Sequence, residues 1–371
     1  MMLIRAGLAA ALLCSATPSL LAQLYLRGQA EPVQGQIVAV SSAGVSIAQA
    51  GETPTVVSWD RVRVVRGESS AQAATFADSA QALWRARTRV ERSDFAGAEP
   101  ILERLAALPP AEALTGPSAA VLAECLLRCR LERGAQAGAT RAWLVFARTA
   151  VPPAGPPKAP AVAGHQLIDA GTGLCPALPP MFVRDAALVA AADAPPDADT
   201  PLARLYTAAL AADAGRPTVW TSELASGLPE SARVLAEILQ ARTGTPPERA
   251  AARAALSSRL VSPDLAPWLD AWCHVALGRS LVRESDPGLR RQGVLHLLQA
   301  PARLGRSAPY LASLSLLEAA QTMQALGEPE AAASIRAELK DRFSRWPAAR
   351  AAAADLQDPA PNQESKEQTA D

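Results

Sequence analysis

The 371-residue chain carries 36 acidic and 36 basic side chains and no long run of one sign, so neither nucleic acid nor an anionic lipid surface meets an electrostatic footprint. Its length suits two or three domains, or one elongated array with a small accessory domain. Alanine dominates while 3 tyrosines, 5 phenylalanines and 4 methionines are few, a balance that disfavours a sheet sandwich and favours helices packed through small side chains.

At the N-terminus Arg5 precedes the apolar stretch Ala6 to Leu13, and Ser19-Leu20-Leu21-Ala22 offers a small residue for cleavage. These are the parts of a signal peptide over residues 1–22, cleaved after Ala22, so the protein is expected to be exported to the periplasm or cell envelope. The alternative is an N-terminal membrane anchor, with the apolar segment read on to Leu26 across Pro18; only in that case is the membrane a partner. Cys14 follows Leu13, where lipid-modified cysteines follow Gly, Ala or Ser, so lipidation is not expected. Export leaves Cys125, Cys129, Cys175 and Cys273 where disulfides are permitted. Cys125 and Cys129 lie four apart on one helical face, a poor geometry for a mutual disulfide, and buried thiols are the expectation.

Residues 23–70 read as a small β module. From Pro32 to Val65 the runs EPVQGQIVAV, GVSIAQA, TPTVVSWD and RVRVV alternate apolar and polar side chains between turn signals, predicting a small antiparallel β meander or barrel. The run Val57-Ser58-Trp59-Asp60-Arg61-Val62 resembles the strand that closes SH3-like modules of bacterial envelope proteins, which implies such a module here. Trp59 is expected in its core rather than as a ligand platform on its surface.

From Ala71 the period changes from two to about 3.6, and helices are predicted to Arg350. Over residues 71–150, QALWRARTRVERSDFAGAEPILERLAALPP holds one helix with Leu83, Ala86 and Val90, and a second with Ala98, Leu102 and Leu105. Between them Asp94 is an N-cap. A further pair turns at Gly134, with Ala139 at the close approach and Trp143 and Phe146 in large positions. The last pair turns at Gly327, with Ala332, Leu339 and Phe343 on its packing face. A small residue followed by large ones and a closing proline resembles the tetratricopeptide pattern, and the resemblance implies a solenoid of α-α hairpins. The last pair departs from that pattern at Arg336, where Ile335 is expected to take the apolar role. The fold class is thus mainly α: a helical-hairpin array preceded by the β module.

Residues 151–182 interrupt the helices with a proline-rich linker or strap, whose apolar end, Gly171 to Phe182, is expected to be covered. Residues 183–350 resume the hairpins, with helices over 201–214, 229–242, 247–260, 266–282 and 287–300 and an N-cap before Pro287. Residues 351–371 read as a disordered tail.

Chemistry has little foothold. Asp270 and His274 stand four apart on one helical face, able to orient an imidazole or to supply two metal ligands, but no third ligand is identifiable. His165 and Asp169 share that spacing in a proline-rich stretch, and His296 sits beside a packing face. HExxH, GxSxG, a glycine-rich phosphate loop and paired CxxC motifs are all missing. No catalytic, cofactor or metal residue is therefore assigned. The expectation is a non-catalytic scaffold of the bacterial cell envelope that binds a protein or peptide on its helical array. The alternatives are an envelope enzyme around Asp270 and His274, or a cell-wall or glycan binder acting through the β module.

Overall fold

The computed structural model describes residues 22–49, 51–150, 166–194 and 199–357. The signal segment before Ala22, Cys14, the strap's first part with His165, and the tail beyond residue 357 lie outside the described residues.

Six strands precede the helices: β1 (Gln23–Leu26), β2 (Pro32–Val33), β3 (Gln36–Ser41), β4 (Gly44–Ala48), β5 (Thr55–Val57) and β6 (Val62–Arg66). They form two open three-stranded antiparallel sheets, β2-β1-β6 and β3-β4-β5, so the barrel alternative is not realised. Closure is unnecessary because helices cover the sheets instead: α1 (Ser70–Ala74) packs on β6 and β3, and α4 (Gly116–Glu132) packs on β4. The strand missed in the sequence is β1, whose short alternation abuts the apolar leader and reads as its continuation.

Trp59 joins the two regions. Its side chain is 1% exposed and stacks on Phe76 at 5.0 Å. Its indole N–H donates to the Ser41 carbonyl at 2.9 Å, and its backbone N–H donates to Ser118 Oγ at 2.9 Å, at the start of α4. That hydroxyl in turn donates to the Ala43 carbonyl at 2.8 Å. Burial of an indole with its polar edge satisfied is the expected core role.

The helical part continues with α2 (Ala77–Glu91), α3 (Phe95–Ala106), α5 (Gln136–Ala150), α6 (Ala186–Asp193), α7 (Pro201–Asp213), α8 (Arg233–Thr243), α9 (Pro246–Leu260), α10 (Pro267–Leu281), α11 (Pro287–Leu304), α12 (Pro309–Ala325), α13 (Pro329–Phe343) and α14 (Pro347–Gln357). Several begin with proline, whose missing N–H costs nothing in a first turn. Asp94 accepts from Gly97 N–H at 3.0 Å and Asp286 from Leu289 N–H at 2.7 Å, so both foreseen caps form. Helix α14 carries the chain seven residues past Arg350, where helix was expected to stop.

From α2 to α14 each helix packs on the next, and α2 with α4, α8 with α10, α10 with α12 and α12 with α14 also touch. Contact to the neighbour and the next neighbour is what a stack of helical hairpins produces. At the crossings Ala86, Ala98, Ala139 and Ala332 have no exposed surface, while Leu102, Leu105, Trp143, Phe146, Leu339 and Phe343 fill the space around them. Ile335 is half-buried against the core, whereas Arg336 turns to Gln324 at 3.3 Å.

Helices α10 and α11 approach most closely through a glycine pair. A Cβ on Gly278 would meet the Gly293 carbonyl at 2.8 Å, and one on Gly293 would meet the Gly278 carbonyl at 2.9 Å. Backbone cannot rotate aside as a side chain does. Gly293→Val is therefore expected to destabilise the protein by about 1–3 kcal/mol, read as a lower urea midpoint at constant slope. Gly138→Ala, whose new methyl meets only the Arg130 side chain at 3.6 Å, should not lower that midpoint.

Candidate binding groove

The array folds back on itself. At the turn between α4 and α5, Gly134 has φ +74°, and a Cβ there would strike the Trp346 ring at 2.6 Å. Glycine is needed at this point both for the left-handed turn and for the close approach. The second helix pair consequently meets the last one, and the covered segment Leu174 to Val183 runs through the centre.

That segment is held by side chains from three helices. Tyr206 of α7 donates to the Leu178 carbonyl at 2.6 Å, Trp272 of α10 donates to the Pro176 carbonyl at 3.2 Å, and Tyr310 of α12 accepts from Val183 N–H at 3.0 Å. Leu174, Cys175, Leu178, Met181, Phe182 and Val183 are all buried. Proline-rich chain has few N–H groups to satisfy, so it can cross a core that ordinary loop could not.

Beneath it lies an ionic network. Asp213 accepts from Arg279 at 2.8 and 3.1 Å, from Arg242 at 3.1 Å and from Phe182 N–H at 2.8 Å, and Arg279 also reaches Glu318 at 2.8 Å. Burial pushes the Asp213 carboxyl up, but the two guanidiniums and the hydrogen bonds together outweigh it and hold the pKa below the ordinary carboxylate value. For Arg279 burial works against the cation, and Asp213 and Glu318 outweigh it in the opposite direction. All three guanidinium nitrogens of Arg279 and both carboxylate oxygens of Asp213 are engaged, as expected of a structural brace.

One open concavity stands out, with a volume of about 420 Å³, between the α4–α5 turn, the starts of α10 and α12, and the residues before α14. Its aromatic walls are Trp268, Trp272, Tyr310 and Trp346. Trp268 and Trp272 meet edge to face at 4.9 Å, as do Tyr310 and Trp346 at 6.4 Å. The polar atoms of Trp272 and Tyr310 are tied to the central segment and both rings are almost fully buried, so half-buried Trp268 is the aromatic ring most open to the groove. Pro176, Pro267 and Pro309 add flat apolar surface, and Ala177 lies exposed on the rim side. No Asp, Glu, Lys, Arg or His lines it. Gln136, 4% exposed, also contributes, and its Oε1 has no hydrogen-bond partner among the described residues.

Comparison with protein-family models, curated proteins and solved structures returns no match to this chain. The groove's chemistry must be judged on its own residues.

The histidines fall elsewhere. His274 Nε2 lies 3.6 Å from Asp270 Oδ1, and Arg303 reaches the same carboxylate at 3.3 Å. His274 Nδ1 faces His296 Nδ1 at 3.1 Å, a partnership between α10 and α11 that sequence spacing did not reveal. One ring must donate and the other accept, so at least one of the two is neutral in the native state. Among the described residues, no three His, Cys, Asp or Glu side chains converge to hold a metal ion. Burial lowers both pKa values below the usual 6.5; for His274 the nearby Asp270 opposes this, while His296 and Arg303 add to it. With the folded pKa depressed, this pair's contribution to stability is present above pH 6.5 and is lost as pH falls toward the folded pKa. Thermal midpoints between pH 7.5 and 5.5 should fall for the native chain, and fall less for a His274→Gln, His296→Gln double variant.

Cys125, Cys129, Cys175 and Cys273 are free and buried. Burial pushes the Cys129, Cys175 and Cys273 thiols up to about 12 and raises Cys125 as well, which leaves no reactive thiolate among the four. No helix among the described residues is long and apolar enough to cross a membrane.

Proposed function

We propose that this chain is a non-catalytic binding scaffold of the bacterial cell envelope, built from tetratricopeptide-like hairpins, and that a protein or peptide partner docks in the aromatic groove. The observation that carries the reading is the groove itself: three tryptophans and a tyrosine line an uncharged concavity assembled from helices far apart in sequence. Aromatic anchors in a concave apolar site supply binding energy without acid-base groups to drive a reaction. The leader over residues 1–22 supports export, and the Ser58-Trp59-Asp60-Arg61 run supports an SH3-like origin for the β module. Burial of Trp59 argues against using that residue as a glycan platform.

A photoreactive amino acid at Ala177 on the groove and another at Val219, 70% exposed and outside it, test the reading in living cells. One discrete protein adduct from position 177 and none from 219 is expected. Recovery of the protein in the cytoplasmic fraction, or adducts equally at both positions, would contradict it.

A further inference from the structure

We propose that the groove's ligand is an uncharged, proline-containing peptide segment in the extended polyproline conformation, an inference that rests on the binding-scaffold reading above.

The lining excludes other peptide modes. Its walls are helix sides, helix starts and the proline-rich central segment, with no sheet edge to offer a row of backbone partners. A β-strand laid there would leave its N–H and C=O groups unpaired. A helix is about 10–12 Å across with its side chains, and a cavity of about 420 Å³ seats only a few residues. A polyproline segment avoids both difficulties. It has no internal hydrogen bonds to preserve, its prolines bring no N–H to desolvate, and its ordering is largely complete before binding.

Complementarity of charge and shape points the same way. With no ionised side chain in the lining, an acidic or basic peptide would lose hydration and gain no partner. Pyrrolidine rings stack on indole faces, and Trp268, half-buried and edge to face with the fully buried Trp272, offers such a surface beside Pro176, Pro267 and Pro309. The non-proline residues of the ligand keep N–H donors. Gln136, buried at the groove with an unpartnered Oε1, supplies an acceptor that such a donor would satisfy once its side chain turns outward. A glycan would need several polar side chains around its hydroxyls, and besides tryptophan indole N–H groups the lining offers only Gln136, Ser307 and the tyrosine whose hydroxyl is already engaged.

The test uses the full chain and three labelled probes of equal length: a repeating Pro-Pro-Ala peptide, an alanine-rich amphipathic helical peptide and a cell-wall oligosaccharide. Fluorescence anisotropy, with intrinsic tryptophan emission as the second readout, should show micromolar binding of the proline peptide alone. Trp268→Ala and Ala177→Arg should each weaken it at least tenfold. Ala177 is exposed, so that variant keeps its fold and guards against a trivial loss, checked by an unchanged circular dichroism melt. Binding of the helical peptide or the oligosaccharide in place of the proline peptide, with the same dependence on Trp268, would overturn this inference and leave a groove-binding scaffold standing. Binding of none of them, while position 177 still crosslinks a partner in cells, would also overturn it. Loss of both results would remove the scaffold reading as well.

Discussion

Arg279→Met is expected to destabilise the protein by about 3–5 kcal/mol, the largest effect among side chains outside the apolar core. The substitution keeps the length of the side chain and removes its charge. Asp213 is then left almost fully buried with only Arg242 to answer it, and Glu318 loses its guanidinium. The central segment should loosen too, because Asp213 holds Phe182 N–H. Asp213→Asn keeps an acceptor for that N–H while discarding the charge. In urea titrations the Asp213→Asn, Arg279→Met double variant should be less damaged than the sum of its single changes, since neither member of the Asp213–Arg279 pair is then left charged without the other. Strict additivity would show that the two side chains do not act as one unit.

Trp59→Ala should cost about 3–5 kcal/mol through the cavity left by the largest buried side chain of the β module. It removes the stack on Phe76 and leaves the Ser41 carbonyl without its donor. The damage should be uneven. Hydrogen exchange is expected to rise in β3, β4 and the start of α4, which meet at this residue, while α12 and α13 at the far end of the chain stay protected. Uniform exchange across the chain would instead mean that the β module and the helical array unfold as a single unit.

Much of the local structure was written in short-range chemistry. Pro201, Pro267 and Pro287 announced helix starts, and Asp94 and Asp286 announced caps, because these effects depend on a few neighbouring residues. Ala98, Ala139 and Ala332 marked the helix crossings, since only a small side chain allows two helices to touch. The two-residue alternation from Pro32 marked strands, but it could not say whether they close. Whether a sheet edge is met by another strand or by a helix depends on residues far along the chain.

The groove was less legible. Trp268 and Trp272 share a helical face, and that spacing was the one local sign of it. In the structure α12 is buried throughout from Tyr310 to Leu317, a helix surrounded on all sides. Tyr310, Trp346 and Gln136 join only because the Gly134 turn brings the second hairpin onto the last. The pairing of His274 with His296, and of Asp213 with Arg279, likewise comes from helices that pack side by side.

The amino-acid sequence by itself determined the helical class, the hairpin unit and most helix starts, because backbone hydrogen bonding and apolar periodicity act within a few turns. Tertiary structure alone decided that the sheets stay open, that the proline-rich segment becomes a central strut, and that aromatic rings from distant helices enclose one uncharged groove. Those outcomes follow from how successive hairpins rotate as they stack, a sum of small packing angles that no single stretch of sequence contains.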